Sequence, residues 1–189
     1  QLTNIVNALR CQEFATTCTL DEDCGDVDQV CFNGGCIEDP NLGAGCVPDM
    51  WTGVGHWNDF NTYRNIVSLQ PNPAVTAASI DPGTYPGGGE AVFQPSACIA
   101  NPASCPGIPF ATMGCASAGV GCPGFRPEAI RIHLQVSDAD NQCGASCGLF
   151  TANYAGTQML AQDIKFVGLY GTDDGSQQVF FGYRVQHND

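Results

Sequence analysis

Asp138 and Asp140 follow directly on the segment Ile130-Arg131-Ile132-His133-Leu134-Gln135-Val136-Ser137, and carboxylate oxygens of this kind are the hard donors that calcium and magnesium take. Glu90 closes Pro86-Gly87-Gly88-Gly89, a run in which glycines let backbone come close to an ion or ligand while a following helix start presents its amides. Asp59 lies near the end of Trp51-Thr52-Gly53-Val54-Gly55-His56-Trp57-Asn58-Asp59-Phe60, where a carboxylate can cap the next turn. Ile130, Ile132, Leu134 and Val136 alternate with Arg131, His133 and Gln135, a period of two that predicts a strand with its apolar face buried. The acids then leave at its carboxyl end, where open α/β sheets bind ligands.

The other reactive side chains are cysteines. Twelve of them fall in a group of six (Cys11, Cys18, Cys24, Cys31, Cys36 and Cys46), a group of four (Cys98, Cys105, Cys115 and Cys122) and the pair Cys143 and Cys147. Even counts at this density predict disulfides closed within each group, Cys143 with Cys147 among them, and hence an oxidising compartment, extracellular or at the cell surface. Zinc is disfavoured, since no Cys-x-x-Cys occurs and His56, His133 and His187 are scattered. No Gly-x-Ser-x-Gly or His-Glu-x-x-His run accompanies these histidines, so a non-enzymatic role is expected. Asp21, Glu22, Asp23, Asp26 and Asp28 lack the spacing of an EF-hand loop and its terminal Glu. A net charge of -13 argues against nucleic acid or an anionic membrane as partner. No apolar run approaches the ~20 residues of a membrane span. Gln1 is expected to be a processed end.

The elements that must position these residues read as follows. Leu2, Ile5, Val6 and Leu9 have helical spacing. Residues 11–46 are cysteine-rich and loop-rich, and resemble the short cysteine-rich repeats of secreted surface proteins. Strand character returns over 47–60, a short strand and a helix follow over 63–80, and 94–125 reads as a second disulfide-closed loop. A helix over 154–162 and a buried strand over 163–171 come next. Val179-Phe180-Phe181-Gly182-Tyr183-Arg184-Val185 is either a last strand or the start of a final helix.

Arg126-Pro127 ahead of the strand at 130–136, with a hydroxyl residue and Asp after it, resembles the fourth strand of a von Willebrand factor A domain. Gly53-x-Gly55-x-Trp57-x-Asp59 and the glycine-rich loop ending in Glu90 resemble the corresponding regions of the integrin β-like type. The resemblance covers about residues 1–9, 47–93 and 125–171. It implies an α/β fold with a doubly wound A-domain-like sheet over 1–10 and 47–189, interrupted by insertions at 11–46 and 94–125. It also implies Asp138, Glu90, Asp59 and Asp140 as ligands to Ca or Mg. The family's Asp-x-Ser-x-Ser loop is absent, so the implied sheet lacks its first strand within this chain. A strand-donating chain, a cleaved segment or a rearranged sheet must then fill the gap. The function implied is adhesion or binding of a protein ligand. The alternative is a structural subunit of an extracellular filament or surface assembly, whose partner is a neighbouring subunit.

Overall fold

The computed structural model describes residues 8–42, 45–58, 61–80, 91–105, 107–137 and 148–170. They divide into two compact units, one drawn from Gln1–Thr52 and Gln70–Ala78, the other from Gly53–Leu69 and Ser79–Asp189.

In the first unit, β1 (Glu13–Thr17), β2 (Gln29–Phe32) and β3 (Gly35–Glu38) form an antiparallel sheet in the order β1-β3-β2. Asn33 and Gly34 make the tight turn between β2 and β3, with φ of 53° and 84°. An Asn-Gly pair takes two successive positive φ values at low cost, and the twist of such a turn suits a hairpin. The interior is largely sulfur: Cys18, Cys24 and Cys36 are buried, with Phe14 and Cys31 packed on them. Bridges Cys18–Cys31, Cys24–Cys36 and Cys11–Cys46 hold what so few apolar side chains cannot. The helix α1 (Pro73–Ala78) starts where Pro73 needs no N–H partner, and Asn72 Oδ1 accepts from the Ala74 amide at 3.0 Å.

The second unit is built around α2 (Phe93–Ala100), all eight of whose residues are buried. This helix lies within the stretch expected to be a disulfide-closed loop. Bridge Cys98–Cys105 ties the following chain back onto it, and Cys115–Cys122 closes a loop farther along. Gly121 sits under its last turn with φ of 67°, and a Cβ there would come within 2.4 Å of the Ile99 carbonyl oxygen. That approach lets the Cys122 amide donate to the same carbonyl at 2.7 Å. The strands β4 (Thr52–His56) and β5 (Arg64–Gln70) pair with each other. Strand β6 (Arg131–Ser137), helix α3 (Ala152–Ala161) and strand β7 (Ile164–Tyr170) form a β-α-β unit with parallel strands, Arg131 opposite Ile164 and Ser137 opposite Tyr170. Thr151 caps α3 by accepting from the Tyr154 amide.

This architecture corrects the expected doubly wound A-domain-like sheet. Among the described residues, seven short strands lie in three small separate sheets, with β6 beside β7 and β4 beside β5. The missing central strand therefore has no vacancy in a common sheet to fill. The orientation of β6 is also the reverse of the expected one. Gln135 and Ser137 are buried, whereas Ile132 and Val136 are 57 % and 48 % exposed. The alternation itself is as expected; what decides the face is hydrogen bonding. Gln135 bonds to α2, and the Arg131 guanidinium donates to the carbonyls of Arg126, Pro127 and Gln162, which occupy its polar edge inside the unit. A strand in a doubly wound sheet is apolar on both faces because helices cover both, and β6 is not such a strand.

Non-reducing peptide mapping should recover these five bridges and no link between the 11–46 and 98–122 groups. Gly121→Ala should lower stability by roughly 1–3 kcal/mol in urea denaturation, through the positive φ and the crowded carbonyl together. An unchanged midpoint would contradict the contact.

Candidate functional site

The first turn of α2 is a junction. Gln94, 1 % exposed, exchanges two hydrogen bonds with Asn61: the Asn61 amide donates to Gln94 Oε1 at 2.6 Å, and Gln94 Nε2 donates to Asn61 Oδ1 at 2.7 Å. Gln135, 2 % exposed, donates from Nε2 to the Val92 carbonyl at 2.8 Å and accepts at Oε1 from Ser96 Oγ at 2.8 Å. Removing one partner from such a buried pair costs the desolvation of the other, about 1–3 kcal/mol. The chain is therefore pinned at residues 61, 92 and 135 around one helix start.

The expected ligands Asp59, Glu90, Asp138 and Asp140 all lie outside the described residues, as do Cys143 and Cys147. Their attachment points do not. Asp59 is two residues before Asn61, Glu90 two before Val92, and Asp138 three after Gln135. All three anchors belong to the same unit. Asp173 and Asp174 follow the carboxyl end of β7, which the parallel register puts beside that of β6. Sequence reasoning passed over these two acids, which lie outside the described residues.

Asn61, Gln94, Ser96 and Gln135, which set up the junction, were also missed. The available signal was a lone amide in an apolar context, Gln94 in Ala-Val-Phe-Gln-Pro and Gln135 between Leu134 and Val136.

His133 lies on the inward side of β6, half-buried, with its ring 5.7 Å from that of Phe166. Its Nε2 is 3.2 Å from Gln135 Oε1. That oxygen can only accept, so His133 is the neutral tautomer with hydrogen on Nε2. Loss of solvent pulls its pKa down to about 4, against the opposing pull of the Gln135 bond. Ser96 Oγ and His133 Nε2 thus address the same oxygen, and Ser96 is fully buried.

The acids of the first unit are used locally. Asp23 accepts from the amides of Thr19 and Leu20 and from the Thr19 hydroxyl, which holds its carboxyl below the usual range. Asp21 accepts from the Cys31 amide at 2.8 Å, and Asp26 from that of Asp28 at 3.2 Å. Among the described residues, one cluster has metal-ligating side chains together: the sulfurs of Cys18, Cys24 and Cys36, within 4.8 Å of one another. Each is bonded to another sulfur, so no thiolate is present to bind an ion.

No family model, curated protein or solved structure matches the chain.

The depressed His133 pKa has a definite sign. Between pH 6.5 and about 4 the unfolded chain binds the proton and the folded one does not, so stability falls as pH falls through this window. The contribution is full above pH 6.5 and its loss reaches roughly 1–3 kcal/mol at the acid end. His133→Gln should flatten the profile relative to the parent chain. Parallel profiles for the two proteins would contradict the assignment.

Proposed function

We propose that this chain is an extracellular adhesion or protein-ligand-binding module that gathers Asp59, Glu90 and Asp138, with Asp140, around one calcium or magnesium ion beside the first turn of α2. One observation carries the reading: two bonds between Asn61 and Gln94 and one from Gln135 to Val92 hold residues 61, 92 and 135 at a single helix start, and each is two or three residues in sequence from one of these acids. Carboxylates confined together on a chain of net charge -13 repel one another. A divalent cation relieves that repulsion, and oxygen donors suit the hard ions rather than zinc or copper. A coordination position left open by the protein would accept a carboxylate of the ligand. The five bridges fit an oxidising compartment. No helix among the described residues is long and apolar enough to cross a membrane.

A second reading, a structural subunit of an extracellular assembly, is favoured by the exposed apolar side of β6 and β7, on which a neighbouring subunit would pack. Size-exclusion chromatography with and without chelator separates the two. The binding module runs as a monomer in both, and a structural subunit runs as an assembly that only denaturant breaks.

Calcium or magnesium at a hundredfold excess over its dissociation constant should raise the melting temperature by about 5–10 °C. Asp138→Ala should abolish the shift. A melting curve indifferent to chelator would remove the cation from the account.

A further inference from the structure

Of the chain's asparagines, Asn33 alone is followed by glycine, and both residues are exposed in the turn between β2 and β3. An asparagine in that sequence can close on its own backbone. The following main-chain nitrogen gives its proton to water or hydroxide and attacks the side-chain carbon Cγ; the Cγ–Nδ2 bond breaks, and ammonia leaves a five-membered imide. Water then opens the imide at either carbonyl, giving an aspartate or a β-linked residue whose Cβ and Cγ run in the main chain. Glycine favours the attack because no side chain shields its nitrogen, and around Gly34 there is room: a Cβ there would meet no atom within 4 Å. The fold, however, holds the reacting atoms apart. The ring needs the Gly34 nitrogen on the Cβ side of the Asn33 Cα–C bond. Positive φ at both residues marks a I′ turn, in which ψ of the first central residue is about +30°, and this turns the nitrogen to the side opposite Cβ. Several contacts keep it so. Phe32 pairs with Gly35 and Cys31 with Cys36, the Cys18 amide donates to the Gly34 carbonyl at 3.1 Å, and the bridges Cys18–Cys31 and Cys24–Cys36 anchor β2 and β3. Few apolar side chains stand behind those bridges, and a hairpin without such support is marginal in water.

We propose that the β2–β3 turn is a deamidation site kept closed by the two bridges, so that reduction of Cys18–Cys31 and Cys24–Cys36 commits the chain to conversion of Asn33. The reductant is a dithiol, which gives two electrons and two protons to each bridge and closes to its own disulfide. Once the hairpin opens, rotation about the Asn33 Cα–C bond brings the Gly34 nitrogen to Cγ and the imide forms. The β-linked product then carries one extra main-chain atom inside a two-residue turn, and the length of that turn sets Cys31 opposite Cys36. Either product also adds a carboxylate close to Asp21, which accepts from the Cys31 amide. A chain that re-oxidises after β-linkage therefore fails to recover both bridges, and a reversible reduction becomes a permanent change. The proposal is independent of the cation at the α2 junction.

Peptide mapping of the full chain, held either oxidised or in dithiothreitol at neutral pH, reads the site directly. The β-linked product at position 33 should build up several-fold faster in the reduced chain. When samples are re-oxidised at intervals, recovery of Cys18–Cys31 and Cys24–Cys36 should fall in step with that product. Asn33→Gly leaves a Gly-Gly turn that accepts two positive φ values but has no side-chain amide, so its recovery should not decline with holding time. Equal rates of conversion in the oxidised and reduced chains overturn the proposal. So does a β-linked chain that recovers both bridges as fully as fresh protein, or an Asn33→Gly chain whose recovery declines as fast as the parent's.

Discussion

A primary amide buried in the middle of an apolar strand must have both of its ends satisfied, and in this protein that requirement falls on Gln135. Its Nε2 serves the Val92 carbonyl, and its Oε1 serves Ser96 and His133. An unpartnered amide in that position would cost about as much as a net hydrogen bond is worth several times over. Gln135 therefore decides which side of β6 faces α2. That choice turns His133 inward, where it loses solvent and its proton, and turns Ile132 and Val136 outward. The same bond brings the end of β6 to the start of α2. Without it, the stretches carrying Glu90 and Asp138 would have no common point of departure.

The disulfides do a different job in each unit. In the first, Cys18–Cys31 and Cys24–Cys36 are themselves most of the interior, and the sheet they cross has few other buried side chains. In the second, Cys98 and Cys122 are fully buried among Met113, Phe150, Met159 and Ile164, so the bridges fasten short loops onto a core that already exists. A bridge of this kind contributes on the order of 2–4 kcal/mol, chiefly by restricting the unfolded chain, and longer closed loops gain more. By that measure Cys11–Cys46, spanning 35 residues, constrains the unfolded chain most.

Much of the local structure was legible from residue pattern. The period of two at 130–136, the apolar run at 163–171, the Pro73 start and the cysteine grouping each correspond to an element or a set of bridges that forms. Which face of a strand is buried was not legible, because alternation gives two faces and hydrophobicity alone picks the apolar one. Here tertiary hydrogen bonds to Gln135 and Arg131 overrule it. A helix start after Glu90 was expected, but the extent of α2 through residue 100 was not: with Gln94, Pro95, Ser96 and Cys98 all buried, it has no polar face and hence no helical period to detect. The wider architecture failed as well: the A-domain resemblance rested on Arg126-Pro127, on the hydroxyl residue and Asp after β6 and on the glycine-containing stretches, and these motifs do not place the strands in one sheet. The acids at 59, 90 and 138 were singled out from that resemblance, and they lie outside the described residues.

The account stands on Gln135 facing inward, and a double-mutant cycle with Ser96 measures that directly. Gln135→Leu should cost about 2–4 kcal/mol in urea denaturation, because it removes the two buried bonds that Gln135 makes with the Val92 carbonyl and the Ser96 hydroxyl. Ser96→Ala should cost less, and the double variant should fall short of the sum by about 0.5 kcal/mol or more. A neutral or stabilising Gln135→Leu, additive with Ser96→Ala, is the result for a strand whose apolar side faces the core, and it would contradict the orientation on which the candidate site depends.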